Sequence, residues 1–335
     1  MIRKIFTKIA LHQKVILLVL LAAAVVFPLL QPTQYVIRMA TLSLVYVVLA
    51  LGMNLIMGYM GQMSFGHAAF FGIGAYTSAI LSTRFGLDCT VTFLAAILLS
   101  GLFGFLLGTP VLKLKGYYLT IVTLGFCEIV RMVMLNWVSL TGGPMGIKAI
   151  PKFMFFGIKF ATTRSYYYII LTICVLVTLL IYRLVNSRYG LAILAIRDDD
   201  SAAEAMGVNI VRYKIVTFVI SSMIAGLAGA FFAHYISYID STYFTSTASQ
   251  NICVMVILGG LGSLPGTFLG AIVLTLLPEL LRGLSEYRML IYGVIMVVVV
   301  LFMPSGLMGK YNFRQLKESW LLKKHEQTER REKNG

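Results

Sequence analysis

Met39-Ala-Thr-Leu-Ser-Leu-Val-Tyr-Val-Val-Leu-Ala-Leu-Gly-Met-Asn-Leu-Ile-Met57 runs for nineteen residues without a charge. A helix of that length rises about 28 Å, close to the ~30 Å hydrocarbon thickness of a bilayer. Working outward, further apolar runs lie at 15–30, 65–81, 91–108, 119–135, 166–182, 215–235, 250–261, 266–281 and 290–303, which makes ten candidate crossings. The chain has 335 residues, 59% hydrophobic and 12% charged, with a mean hydropathy of +0.87. Those values exclude an ordinary soluble globule, a disordered chain and a fibrous protein. The expected fold is an all-α polytopic membrane protein of about ten transmembrane helices. The 250–261 run is shorter than a full crossing, so a tilted helix, a re-entrant segment or a flanking extension stays open there.

The 28 Lys and Arg against 13 Asp and Glu give a formal charge of +15, a value that in a soluble protein would suggest nucleic acid. Its distribution suggests otherwise. With both termini inside, the inside segments 1–14, 58–64, 109–118, 183–214, 262–265 and 304–335 hold 19 Lys and Arg, and the outside segments hold 8. That bias follows the positive-inside rule and predicts an N-in, C-in topology facing anionic lipid. The organisation read from it is a basic cytoplasmic start (1–14), a transmembrane domain (15–303) and a mixed-charge cytoplasmic tail (304–335). Arg3, Lys4, Lys8 and Lys14 precede the first run as in a signal peptide, but no small-residue cleavage site follows, so 15–30 is expected to be a retained span. Two loops exceed simple turns: 136–165 outside and 183–214 inside. Cys89, Cys127, Cys174 and Cys253 have no paired spacing, so neither a metal site nor a disulfide framework is expected.

Glycines crowd residues 52–74, interleaved with Asn54, Gln62, Ser64 and His67. At membrane depth this density allows either close helix packing or a broken helix whose freed backbone lines a path. Gly259 and Gly262 repeat the spacing of Gly58 and Gly61. The segments 58–66 and 259–266 are therefore the two candidate broken segments, and Asn54, Gly58, Gly61, Gln62, Ser64, Gly66, His67, Gly259 and Gly262 are the candidate path residues. Glu128 and Arg131, at i and i+3 within one span, are placed for an intramembrane ion pair facing protein or water. A structural role is preferred for the pair over gating or proton relay.

The stretch Ser187-Arg-Tyr-Gly-Leu-Ala-Ile-Leu-Ala-Ile-Arg-Asp-Asp-Asp-Ser-Ala-Ala-Glu-Ala-Met-Gly-Val-Asn209 predicts an Ala-rich helix with an acidic cap at Asp198 to Asp200 and a stop at Gly207. A short helix between spans suits a groove on a partner. An interfacial helix lying on lipid is the other reading, disfavoured by three consecutive Asp residues.

Ala202-Ala203-x-x-x-Gly207 resembles the EAA loop of ABC importer permeases, with Ser201 where the usual Glu stands. Gly61-x-x-Ser64-x-Gly66-x-Ala68-x-Phe70-x-Gly72-x-Gly74-Ala75-Tyr76, Thr141-Gly-Gly and Gly259-Gly-x-Gly262-x-x-x-Gly266 accompany it. Together these motifs, from about residue 42 to residue 304, resemble the LivM-type permease of branched-chain amino acid ABC transporters. The resemblance implies a LivH-like second permease subunit, two cytoplasmic ATPase subunits of LivG/LivF type, a periplasmic amino-acid-binding protein and residence in the inner membrane. It also implies an ATPase-coupling loop carrying Arg197, Asp198, Asp199, Ala202, Ala203, Glu204 and Gly207, with the 136–165 loop as a candidate contact for the binding protein. The chain carries no G-x-x-x-x-G-K-[ST] phosphate loop, so ATP hydrolysis is expected in the partners, and no cofactor is expected here.

Permeases for urea, short amides or other amino acids share this pattern and remain alternatives. An ion-coupled secondary transporter calls for several acidic residues within spans, whereas only Glu128 and Glu279 are found. A membrane enzyme calls for convergent His and carboxylates, but His67 and His234 stand in separate segments. A channel would have little use for the large inside loop.

Overall fold

The computed structural model describes residues 24–30, 32–111, 117–155, 158–160, 162–281 and the isolated positions 293, 294, 297, 306 and 307. The 1–14 start and the first part of the 15–30 run (15–23) lie outside the described residues, as do nearly all of the 290–303 run and the 304–335 tail, and Lys113, Lys115, Arg282 and Arg288.

The run quoted first forms α1 (Gln34–Asn54), continued by a π-helical turn over Leu55–Tyr59. The other principal helices are α2 (His67–Arg84), α3 (Cys89–Val111), α4 (Tyr117–Asn136), α5 (Thr163–Val185), α6 (Arg188–Asp198), α7 (Asp200–Ala205), α8 (Ile210–Ile236), α9 (Ser246–Gly259) and α10 (Leu264–Leu280). Five helical stretches are long and apolar enough to cross a bilayer: Gln34–Tyr59, Cys89–Val111, Tyr117–Asn136, Thr163–Val185 and Ile210–Ile236. The fold is nearly all-α. Its strands are two-residue pieces: β1 (Ile147–Lys148) pairs antiparallel with β4 (Tyr238–Ile239), and β2 (Met154–Phe155) with β3 (Ile158–Lys159).

Helix α8 is the hub, packed on α2, α3 and α1. The approach to α2 is so close that a Cβ on Gly74 would lie 2.2 Å from the Gly226 carbonyl oxygen. Lipid tails are as apolar as the core, so helix association in a membrane depends on such close packing rather than on hydrophobic exclusion. By contrast α3 turns Leu94, Leu98, Leu102 and Leu106 outward, as a lipid-facing helix does.

The 136–165 loop is a folded cap. Phe153 is fully buried among Phe93, Tyr166 and Phe231, and the His234 ring bonds the Pro151 carbonyl at 2.7 Å and the Ser78 hydroxyl at 2.9 Å. Arg84 donates to the Ser139 and Leu140 carbonyls.

The structure departs from the sequence reading in two places. The 187–209 stretch is two helices, not one, because Asp199 adopts an extended conformation (φ −158°, ψ 111°) and its carboxylate caps a new helix through the Ser201 and Ala202 N–H groups. The acidic run therefore breaks the helix before restarting it. The short 250–261 run belongs to α9, of 14 residues. A 3-10 turn over Ser241–Phe244 precedes it, and Phe244 packs on Phe71 and Tyr76 part-way along α2. The Ser and Thr residues of this approach interrupt the hydropathy ahead of the run.

Candidate functional site

The π turn that ends α1 is the centre of the site. Wider helical winding and the exit from the helix at Met60 free the Gly58 carbonyl, and that carbonyl accepts a hydrogen bond from the Arg197 guanidinium at 3.0 Å. Asn54, one turn earlier and fully buried, reaches the other way. Its amide donates to the Thr267 hydroxyl at 2.9 Å and its carbonyl accepts from the Gly262 N–H at 2.9 Å. The two glycine-rich segments, more than 190 residues apart in sequence, are therefore joined through one side chain. A Cβ on Gly58 would lie 1.9 Å from the Asn54 oxygen and 2.3 Å from the Gly262 nitrogen. Gly61, at φ +74°, lies against the Arg197 stem, where a Cβ would come within 2.6 Å. Only glycine meets both conditions.

Gly259 belongs to the same junction, packed on the Gly266 carbonyl at the α9–α10 turn. The remaining candidate path residues lie nearby but elsewhere. The Ser64 hydroxyl accepts from the Gly66 N–H at 3.4 Å, and Gly66 abuts Thr123 of α4. Thr123 in turn accepts the Phe65 N–H. His67 is buried against Gly52, inside the bundle. The Gln62 backbone closes the π turn by donating to the Ile56 carbonyl at 3.1 Å.

The loop residues divide by direction. Arg197 points into the bundle, held from outside by Asp198 at 3.2 Å. Ala203 is buried, whereas Ala202 and Glu204 are exposed. Gly207, at φ +82°, turns the chain out of α7 beside Met206, the most exposed apolar side chain described. Lys214, at the start of α8, is 7% exposed and its ammonium lies 2.7 Å from the Asp200 carboxylate. Tyr189 bonds the Tyr213 carbonyl and the Thr217 hydroxyl, and burial raises its phenol above the usual value, so it stays a neutral donor. The helix pair α6–α7 is thus fastened to α8 and, through Arg197, to the π turn. Sequence reading missed these fastenings, since nothing in local spacing joins Arg197 to Gly58 or Asp200 to Lys214.

Glu128 and Arg131 make no hydrogen bond to this junction; among the described residues they bond each other and Ser246. The Arg131 Nε lies 2.8 Å from the Glu128 carboxylate, with side chains 26% and 33% exposed respectively. Among the described residues, no group of three or more His, Cys, Asp or Glu side chains is arranged to hold a metal.

A many-helixed membrane bundle with glycine-broken helices and a rigid helix pair fastened to the break defines a transport permease rather than an enzyme. The chain belongs to the family described as branched-chain amino acid transport system / permease component, whose model matches residues 35–300. It is 37% identical over 319 residues to the high-affinity branched-chain amino acid transport system permease protein LivM of Escherichia coli K12, covering 88% of this chain and 75% of that protein. It is 25% identical over 301 residues to LivH of the same organism, covering 83% and 95%. Probable LivM of Methanocaldococcus jannaschii is 26% identical over 310 residues, covering 78% and 90%. No solved structure gives a significant match.

Proposed function

We propose that the chain is one of two permease subunits of an ATP-driven importer of leucine, isoleucine and valine in the inner membrane, paired with a LivH-like subunit. Two cytoplasmic ATPases drive it and a periplasmic amino-acid-binding protein supplies it. The observation that carries this reading is the Arg197–Gly58 link. A partner that moves α6–α7 pulls on the end of α1, and through Asn54 on the α9–α10 turn, so cytoplasmic work reaches the broken helices without a flexible joint. The coupling face is the exposed one, with Ala202, Glu204, Met206 and Gly207, and Asp198 on its edge.

Ten spans with both termini inside fit the pairing of loop contacts. Arg84 bonds the 136–165 loop and β1 pairs with β4 at one end of the bundle. Arg197 meets the Gly58 and Gly262 turns at the other. Alternate crossings from a cytoplasmic N-terminus put the first group outside and the second inside. The folded 136–165 cap then faces the binding protein.

The test is purification of the tagged chain in mild detergent, followed by reconstitution. A stoichiometric second permease with P-loop ATPases, and leucine uptake that requires both ATP and the binding protein, is the expected result. Robust uptake by this chain alone without ATP would refute it.

A further inference from the structure

The Glu128–Arg131 pair is placed unlike a structural ion pair. A buried pair is retained where its surroundings satisfy every remaining hydrogen-bonding position, yet here a quarter to a third of each side chain is open within a helix long and apolar enough to cross the membrane. Charges at that position must face water or protein rather than lipid. The pair is eight and five residues before the Asn136 end of α4, about 12 and 8 Å of helix rise.

Its bonding is also incomplete. Glu128 is held by Arg131 Nε, by the Ser246 hydroxyl and, at 3.4 Å, by the Ser246 N–H, which leaves the open bonding positions on Arg131. Arg131 uses only Nε, and its two terminal amino groups make no hydrogen bond with the described residues. A guanidinium left so is the fork that binds a carboxylate in two parallel bonds. One turn earlier on the same face stands Gly125, where an added Cβ would meet nothing within 4 Å. Among the described residues, the surface of the chain is therefore open beside the pair, with no enclosed cavity there.

We infer that Glu128 and Arg131 form a receiving site for the zwitterionic head of an α-amino acid in the outer half of the path, the Arg131 terminal amino groups taking its carboxylate and Glu128 its ammonium. The inference rests on the importer reading above and adds the site to it. An amino acid entering an apolar path brings two opposite charges that need partners at once. An ion pair supplies both, and in the absence of solute its members neutralise each other. Leu, Ile and Val share that head, so the site is indifferent to the side chain and leaves selection to other contacts.

The experiment uses the reconstituted complex with its binding protein and radiolabelled leucine. The double variant E128Q/R131Q is expected to lower leucine moved per ATP hydrolysed at least tenfold while the second permease still co-purifies. Uptake per ATP within twofold of the unsubstituted complex would overturn the site. If the double variant does not assemble, G125F decides, because it fills the adjoining space and leaves the pair intact. At least a tenfold loss of uptake with an unchanged melting temperature supports the site. Unchanged uptake, or loss of the second permease from the complex, would overturn it by placing that face against lipid or in the subunit contact. Failure of the unsubstituted complex to take up leucine would count against the importer reading instead.

Discussion

Asn54 shows how much one buried polar side chain can organise. It is fully enclosed, and both ends of its amide are engaged across the α1 and α10 boundary. Asn54→Ala leaves the Gly262 N–H unpaired and the Thr267 hydroxyl without its donor, a loss of ~1–3 kcal/mol for each buried group left unsatisfied. We expect a clearly lowered melting temperature in detergent by intrinsic fluorescence, and a melting curve equal to the unsubstituted protein would refute the junction. Gly58→Ala is expected to be worse, since its methyl overlaps atoms on both sides. Glycine density drew attention to this segment in the sequence, and there packing and path lining were both open. The geometry packs Asn54, Gly58 and Gly262 closely around hydrogen bonds, an arrangement that suits the pivot in the proposed coupling. Sequence spacing could not distinguish these roles because the partners of Asn54 are more than 200 residues away.

At the scale of elements, hydropathy was a sufficient guide wherever a helix is continuous. The runs 91–108, 119–135, 166–182 and 215–235 each became one helix, extended by two to five residues at each end except at the C-terminus of 119–135 and 215–235, where one residue was added. Local polar chemistry produced the departures. Asp199 caps α7 as the acidic run suggests, but its extended backbone also ends α6, which the sequence did not show, and the 3-10 turn and polar residues around Ser241 and Thr245 interrupt the hydropathy ahead of α9. The resulting two-helix loop is stiff because each half is anchored separately, α6 by Arg197 and α7 by the Asp200–Lys214 pair. Arg197→Ala removes the first anchor without disturbing the exposed coupling face. We expect the ATPases to remain bound and to hydrolyse ATP, while leucine transported per ATP falls at least fivefold. Arg197→Lys is expected to restore part of it, because an ammonium can still donate to the Gly58 carbonyl but lacks the planar fork that also engages Asp198. Loss of ATPase binding in Arg197→Ala would instead show that this residue belongs to the docking face.

For the whole molecule, the charge distribution predicts an orientation by the positive-inside rule, and the structure makes that prediction testable with few changes. All four native cysteines are buried in the described fold, so they react slowly with a bulky membrane-impermeant maleimide. Met145 in the 136–165 cap and Met206 in the α6–α7 loop are both more than two-thirds exposed, and replacing either costs no buried contact. With both termini inside and a crossing at each long helix, a cysteine at Met145 is labelled in intact spheroplasts, whereas one at Met206 is labelled only after the membrane is opened. The opposite pattern would invert the topology, and labelling of both in intact spheroplasts would remove one crossing between them. A crossing lost there has one location, α5, because Thr163–Val185 is the only long helix between the cap and the loop. The pair of substitutions therefore tests the positive-inside orientation, and with it the claim that the face bearing Ala202, Glu204 and Met206 is presented to cytoplasmic ATPases.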